Sequence, residues 1–349
     1  MTVSTMRAAV YHGPQDLRIE TIDQPKPAAG EALVRVLACG VCGTDRRIFA
    51  GGHRYYPDGA RGVPGHEIVG EVVANETGTE VPDGPVVVAP NFGCGKCMEC
   101  LSGNNNRCSQ FQAIGITMNG GFSDYVLVPA LAVAQGNIMA LDDVVDPALG
   151  VLVEPLATVV RGQEPLAIGP RDTVLVVGGG PIGLLHVALA RLKGAAKVIL
   201  ADRWDRRVAI AREIGADVAL NVRRDDLAER LMAETAGRGA DVVIVAAPSH
   251  AAQAEALRQA AVGGRVSFFA GLPKAQPSTE LETNLIHYRE LTVSGTTACS
   301  TRDCRIAMEI ITGGRMTLSP LLTLSLPLEE TVSAFTSDPH DHLKISITP

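Results

Sequence analysis

The stretch TVLVVGGGPIG, residues 173–183, carries the pattern that decides the fold. An apolar, β-branched strand runs directly into three spaced glycines, and a helical pattern follows them. In such a turn Gly178 permits the tight bend, Gly180 lets the backbone approach a pyrophosphate, and Gly183 lets helix and strand pack closely. The stretch therefore predicts a dinucleotide site, with the pyrophosphate at the N-terminus of the helix.

Asp202 ends the next strand pattern, KVILAD, and indicates which dinucleotide binds. A carboxylate at this place accepts hydrogen bonds from the adenosine ribose hydroxyls and repels a 2′-phosphate, so the sequence predicts NAD rather than NADP. Arg203 and Arg207 follow closely. They could offer charge to a phosphate, or they could be solvated residues at the start of the next helix.

Strand and helix patterns alternate from residue 151 to 296, and this order predicts a parallel sheet with helices on both faces. Residues 1–150 instead show short β-branched strands broken by glycine and proline, such as RAAVYH and HEIVGEVVA. Residues 297–349 contain a helix closed by glycine and a strand-like end, LKISITP. This tail is too short to fold alone, so we expect it to pack on the first domain.

Composition excludes several classes of partner. The 349 residues are 46% hydrophobic and 20% charged, which is typical of a globular chain of about two domains. The net charge of −7 argues against a nucleic-acid or anionic-membrane partner. Neither a signal peptide nor an apolar run of membrane-spanning length is found, so we expect a cytoplasmic protein whose thiols stay reduced.

Half of the eight cysteines lie in GCGKCMECLSGNNNRC, residues 93–108. Cys94, Cys97, Cys100 and Cys108 form C-x-x-C-x-x-C-x₇-C, a spacing from which four thiolates can reach one tetrahedral Zn²⁺. A closed shell of four thiolates leaves no position for a substrate, so the predicted site is structural. Iron–sulfur ligation uses related spacings and is the main alternative.

A second, scattered set of polar residues indicates a catalytic metal. CGVCGTD contains Cys42 and Thr44, GVPGHEIVGEV contains His66 and Glu67, and VEPLATVVRG contains Glu154. A cysteine and a histidine from separate loops, with a distant carboxylate, can form a three-ligand zinc site whose fourth position stays open.

These motifs together resemble a known family. GVCGTD, VPGHEIVGEV, the four-cysteine lobe, GGFSDYVLVP, VEPLATVVRG and VLVVGGGPIG occur in the order found in the zinc-dependent medium-chain dehydrogenases. The similarity covers essentially the whole chain, and Glu154 in VEPL resembles the polyol (sorbitol-type) branch. The resemblance implies an α/β plus β fold, in which residues 1–150 and 297–349 form a GroES-like catalytic domain and 151–296 form a Rossmann NAD-binding domain.

The resemblance also implies roles for individual residues. A catalytic zinc is expected on Cys42, His66 and Glu154, directly or through water at Glu154, with Glu67 as a supporting or alternate ligand. Thr44 would accept the alcohol proton. With the lobe, this gives two Zn²⁺ per chain and one NAD. The expected cofactor-binding residues are Gly178, Gly180, Pro181, Ile182, Gly183, Asp202, Arg203 and Arg207. Members are commonly homodimers or homotetramers.

Two departures from the family pattern bear on the substrate. Many relatives carry a histidine near the proton relay where this chain has Arg47, and arginine cannot act as a neutral base. His53 is a candidate relay residue, whereas Arg47 could bind the cofactor or an anionic substrate group, or be solvated. Ala298 and Cys299 stand where sorbitol dehydrogenases place an arginine and an aromatic residue, which disfavours sorbitol itself.

The sequence therefore predicts zinc-dependent hydride transfer between NAD and a secondary alcohol of a small polyol or sugar-like substrate, cyclic and anionic ones included. One alternative is an amino-alcohol dehydrogenase of the threonine type, which shares CGTD and GHE. Another is a non-catalytic zinc- and NAD(H)-binding sensor, against which the intact set of zinc ligands argues.

Overall fold

The computed structural model of the chain describes residues 4–142, 145–338 and 340–349. The chain forms two compact units, which comprise Met1–Ala157, Ala298–Gly313 and Leu322–Pro349 for the first, and Thr158–Thr297 and Gly314–Leu321 for the second. The sequence placed the boundaries after residues 150 and 296. The first observed boundary falls later, inside a continuous helix, and part of the predicted tail belongs to the second unit.

Short strands dominate the first part of the chain, as their β-branched composition predicts. The strands are β1 (Thr5–Gly13), β2 (Asp16–Asp23), β3 (Ala32–Gly40), β4 (Glu67–Asn75), β5 (Pro85–Val88), β6 (Asn91–Phe92), β7 (Gln112–Ala113), β8 (Tyr125–Val128) and β9 (Ile138–Ala140). The helices are α1 (Gly43–Phe49), α2 (Met98–Leu101), α3 (Ala130–Ala134), α4 (Pro147–Gly150) and α5 (Val153–Gln163).

Strands and helices then alternate. They are β10 (Thr173–Val177), α6 (Pro181–Leu192), β11 (Lys197–Asp202), α7 (Asp205–Glu213), β12 (Val218–Asn221), α8 (Leu227–Glu234), β13 (Ala240–Val245), α9 (His250–Gln259), β14 (Ala260–Phe268), α10 (Thr283–Tyr288) and β15 (Thr292–Gly295). The sheet order is β12-β11-β10-β13-β14-β15, and every neighbouring pair is parallel. This is the doubly wound order typical of dinucleotide-binding domains, with the glycine turn after its central strand β10.

The last segments are α11 (Thr301–Thr312), β16 (Leu322–Pro327), α12 (Thr331–Thr336) and β17 (Lys344–Thr348). In the first unit the sheet runs β16-β17-β3-β4-β5-β9, and β8 also pairs with β3. Strand β17 is antiparallel to β3, with Ile347 opposite Cys39. The C-terminal strand thus lies in the same sheet as the strands that lead to the metal-site motifs.

Each unit has its own apolar core, because strand residues that are buried on both faces are almost all aliphatic. In β10, Val174, Leu175 and Val176 are fully buried. None of the described helices combines the length and the apolar character that crossing a bilayer requires.

Candidate functional site

Three side chains of the first unit come together as a compact set of ligand atoms. Cys42, His66 and Glu67 each offer an atom within 4.8 Å of the other two. Cys42 lies at the N-cap of α1, Glu67 begins β4, and His66 immediately precedes that strand. In a tetrahedral zinc site with bonds of about 2.0–2.3 Å, ligand atoms lie about 3.3–3.8 Å apart, so a thiol and an imidazole this close are compatible with one zinc ion.

Asp45 orients the histidine of this set. Its Oδ1 lies 3.3 Å from His66 Nδ1, and its Oδ2 accepts a hydrogen bond of 2.8 Å from the Cys42 amide. Asp45 is only 1% exposed. Since Nδ1 faces a carboxylate, Nε2 is the nitrogen left for a metal. No motif in the sequence predicts this role for Asp45, although its place three residues after an N-cap is a recognisable capping position.

Glu67 is neutralised by a lysine that no sequence motif indicates. Lys344 Nζ, on β17, donates to Glu67 Oε1 and Oε2 at 2.6 and 2.7 Å and to the Val41 carbonyl at 3.2 Å. Burial works against the ammonium form, but Glu67, Cys42 and Glu154 together raise the pKa of Lys344 above its ordinary value. This ion pair fits the supporting role expected of Glu67 better than direct ligation.

Glu154 lies in the first turn of α5, outside the compact set of three ligands. Its side chain is 8% exposed, and burial raises the pKa of its carboxyl. His66 and Glu67 both affect that pKa electrostatically, so all three belong to one buried electrostatic environment. The carboxyl accepts a hydrogen bond from Cys299 Sγ, with 3.6 Å between Sγ and Oε1.

Thr44 and Arg47 meet on α1, where Arg47 Nη2 donates to Thr44 Oγ1 at 3.3 Å. His53 is half-buried, and its Nδ1 has no hydrogen-bond partner in the described part of the chain. Burial, followed by the charges of Arg47 and Arg54, lowers the pKa of His53, so its ring is neutral at pH 7. Within the described residues no hydrogen bond joins His53 to Thr44.

The four cysteines of the lobe also converge. Cys94, Cys97, Cys100 and Cys108 each offer a sulfur within 4.8 Å of the others, and the sulfurs of Cys97 and Cys108 lie 3.7 Å apart. That distance matches two thiolates on one tetrahedral zinc, for which about 3.8 Å is expected. Backbone amides of Lys96 and Cys97 lower the pKa of the Cys94 thiol to about 6, which favours a thiolate ligand.

A buried network of side-chain amides connects the lobe with the start of α11 and with Cys299 just before it. Asn105 Nδ2, inside the lobe, donates to Thr301 Oγ1 at 2.7 Å, and its Oδ1 accepts from the Thr301 amide at 3.1 Å. Asn91 Nδ2 donates to the Cys299 carbonyl at 3.0 Å. These residues are separated by about two hundred positions in sequence, so sequence patterns could not identify the network.

In the second unit the glycine turn has the geometry that its fingerprint requires. Gly178 has φ +106°, and a Cβ on Gly183 would lie 1.7 Å from the Gly178 carbonyl oxygen. A Cβ on Gly180 would meet no protein atom within 4 Å, so protein packing does not require glycine there. Glycine at 180 instead leaves the backbone accessible to a ligand. Pro181 and Ile182 open α6, whose N-terminal amides can bind a phosphate.

Asp202 lies at the end of β11, beside this turn. Its Oδ2 accepts a hydrogen bond of 2.6 Å from the Gly179 amide, and its Oδ1 accepts one of 2.9 Å from the Trp204 amide. Arg207 Nη1 lies 3.9 Å from Asp202 Oδ2, whereas Arg203 is exposed. The Asp202 carboxylate is therefore held in place by the backbone amides of Gly179 and Trp204, and Arg207 partly balances its charge.

Comparison with known proteins agrees with this geometry. The family described as alcohol dehydrogenase GroES-like domain matches residues 28–137, and the family described as zinc-binding dehydrogenase matches 181–313. L-threonine 3-dehydrogenase of Pyrococcus abyssi is 32% identical over 92% of this chain and 90% of its own length. L-galactonate-5-dehydrogenase of Escherichia coli K12 is 31% identical over 96% of both chains.

The fold is shared with solved structures. A Sinorhizobium meliloti 1021 protein described as a zinc-binding dehydrogenase bound to NADP is 31% identical, with a TM-score of 0.91 over 99% of this chain and all of that one. The predicted combination of a GroES-like domain with a Rossmann sheet is thereby confirmed. The chain belongs to the zinc-dependent medium-chain dehydrogenases.

Proposed function

We propose that this chain transfers a hydride between NAD and a secondary alcohol of a polyol-like substrate, and that a sugar acid is the favoured form. As a family member the chain is an oxidoreductase that uses zinc and NAD(P). The observation that carries the proposal is the pair of potential zinc ligands Cys42 and His66. Asp45 orients His66, and Thr44 lies two residues after Cys42. This membership also argues against a non-catalytic sensor.

The charges of the side chains around Cys42 and His66 suit a divalent cation. Lys344 neutralises Glu67, so a Cys42 thiolate and a Glu154 carboxylate would together balance the two charges of a Zn²⁺. Bound zinc would supply a Lewis acid that lowers the pKa of the alcohol hydroxyl, and NAD would accept the hydride. The four-cysteine lobe would hold a second, structural zinc, because its thiolates complete a tetrahedral shell.

Thr44 is the proposed first acceptor of the alcohol proton. Arg47 donates to Thr44 Oγ1 and so occupies one lone pair, which leaves the other lone pair to accept from substrate. Arg47 cannot take the proton further, because a guanidinium stays charged. The Thr44 hydroxyl would pass its own proton on as it accepts that of the alcohol. His53, neutral and with a buried unpaired Nδ1, is the proposed final acceptor, reached through an intervening water or cofactor hydroxyl because, among the residues described, no direct hydrogen bond joins it to Thr44.

Two arginines, Arg47 beside Thr44 and Arg54 beside Tyr55, favour an anionic substrate. Neither Arg47 nor Arg54 forms an ion pair with an acidic residue in the described ranges 4–142, 145–338 and 340–349. An arginine without a carboxylate partner is well suited to bind a carboxylate or phosphate. Relatives named L-threonine 3-dehydrogenase and L-galactonate-5-dehydrogenase carry the names of substrates that contain both a carboxylate and a hydroxyl.

The testing experiment is a substrate panel of neutral polyols, aldonates and L-threonine, read by NADH absorbance. The Arg47→Gln variant should raise KM about tenfold or more for an anionic alcohol and much less for a neutral one. Arg61→Gln, which removes an exposed arginine already paired with Glu20, is the matched control. Equal effects of Arg47→Gln on both substrate types, or no NADH formation with any alcohol, would contradict the proposal.

The second candidate function is oxidation of a threonine-like amino alcohol, because several curated relatives carry that name. The same panel distinguishes the two. A kcat/KM for L-threonine above that of every aldonate and polyol would favour this candidate. The cytoplasmic location and the homo-oligomeric state stay predictions.

The choice of NAD rests on Asp202. Replacing it with asparagine should raise kcat/KM for NADP relative to NAD about tenfold, since the amide removes the charge that repels a 2′-phosphate but can still accept one backbone hydrogen bond. Initial rates with both cofactors provide the measurement. Asp205→Asn is the control, because that exposed carboxylate pairs with Arg224. An unchanged cofactor ratio in Asp202→Asn would show that this carboxylate does not discriminate.

A further inference from the structure

We propose that Cys299 is a positioning residue that fixes Glu154 for the metal set, an inference that rests on the proposed function. The Cys299 thiol is the one hydrogen-bond donor to the Glu154 carboxyl in the part of the chain that the structure describes. It occupies Oε1 and leaves Oε2 as the oxygen available to a metal or its bound water. No pattern in the sequence links these two residues, which lie 145 positions apart.

The contacts of the sulfur define the direction of this hydrogen bond. Asn91 Nδ2 donates to Cys299 Sγ at 3.4 Å, and Cys304 Sγ lies 3.6 Å away on the following helix turn. An ionised carboxylate can only accept hydrogen bonds. The Cys299 proton therefore goes to Glu154, while the sulfur itself accepts from Asn91 and can accept from Cys304.

The backbone around Cys299 holds the thiol in this place. The preceding residue, Ala298, has φ +54°, a left-handed conformation that side-chain-bearing residues rarely adopt. The following residue, Ser300, caps α11, and Ser300 and Asp303 form a reciprocal capping box. The left-handed backbone at Ala298 and the capping box at Ser300 both restrict the backbone of Cys299. Its side chain therefore has little freedom to turn away from Glu154.

A packing role alone would not need a thiol. Cys299 is fully buried, and alanine or valine could fill a similar volume. Without the thiol the Glu154 carboxyl, itself nearly buried, would lose its donor and could rotate. Partners that orient a metal-ligating carboxylate typically change metal affinity about 10- to 100-fold when they are removed.

The test uses the whole enzyme loaded with Co²⁺. Subtracting the spectrum of the Cys42→Ser variant leaves the absorption of Co²⁺ bound at the catalytic set. Titration with a competing chelator gives the affinity of that set for Co²⁺. Cys299→Ala should weaken Co²⁺ binding about tenfold or more and shift the visible absorption band. Cys299→Ser, which restores a donor, should remain close to the parent enzyme. Cys304→Ala, the matched control, removes a buried thiol that does not contact Glu154 and should leave both readouts unchanged.

Three results would overturn the inference: unchanged spectra and affinity in Cys299→Ala, equal impairment of the alanine and serine variants, or the same effect from Cys304→Ala. A Glu154→Gln variant separates this failure from failure of the proposed function. If Glu154→Gln alters the Co²⁺ readouts and Cys299→Ala does not, only the positioning role is lost. If neither alters them, Glu154 itself is not part of the metal set.

Discussion

Replacing Cys42 with serine is expected to lower kcat/KM for NADH formation by about 10³-fold or more. The thiolate is one of two anionic donors that we assign to the catalytic zinc, and serine stays protonated at pH 7. Loss of the Lewis acid removes several kcal/mol of transition-state stabilisation, and about 4 kcal/mol corresponds to a factor of 10³. Initial rates of NADH formation and the zinc content per chain provide the measurement.

Two other cysteines serve as controls for this prediction. Cys39→Ser alters a fully buried thiol on β3 that is not part of the metal set, so it should keep its zinc and most of its activity. Cys97→Ser removes a ligand of the lobe, so it should lose the other zinc and lower the stability of the fold, because structural zinc contributes to folding. Full zinc content and activity in Cys42→Ser would refute its assignment as a ligand.

Replacing Lys344 with methionine should destabilise the first unit by about 3–5 kcal/mol. Methionine has a similar length but no charge, so Glu67 would stay buried as an uncompensated anion. The second unit has its own core and should be affected much less. Chemical denaturation gives the change in the free energy of unfolding. Amide hydrogen exchange, measured separately, assigns that change to one of the two units.

The double variant Lys344→Met/Glu67→Gln tests the cause. Removing both charges should recover at least half of the lost stability, since no buried ion remains. If the double variant is as unstable as the sum of the single variants, the loss reflects packing around Lys344 rather than the ion pair.

Much of the fold could be predicted because it depends on local patterns. Short segments of sequence are enough to recognise the glycine turn, the aspartate that ends β11, and the alternation of strands and helices. Together these patterns predict the parallel sheet. The four-cysteine lobe is equally local, since sixteen consecutive residues contain all of its ligands. The resemblance to the family predicts Cys42, His66 and Glu154 as zinc ligands, and this assignment stays a prediction. The structure places Cys42 and His66 in one compact set, with Glu154 outside it.

The supporting residues could not be predicted, because their partners are remote in sequence. Lys344 lies 277 positions from Glu67, and nothing in HLKISITP indicates that its lysine is buried. The thiol of Cys299 lies 145 positions from Glu154 and follows a left-handed residue, Ala298. Such contacts are set by tertiary packing, about which hydrophobic periodicity gives no information.

Strand β17 has a consequence for how the protein is made. It pairs with β3 and supplies Lys344, yet the ribosome synthesises the whole of the second unit between these two strands. The second unit is almost continuous and can fold while the nascent chain emerges, whereas the first must wait for the last strand before Glu67 gains its cation. During that interval the first unit has an open sheet edge, and this is the period in which a chaperone would protect it most from aggregation.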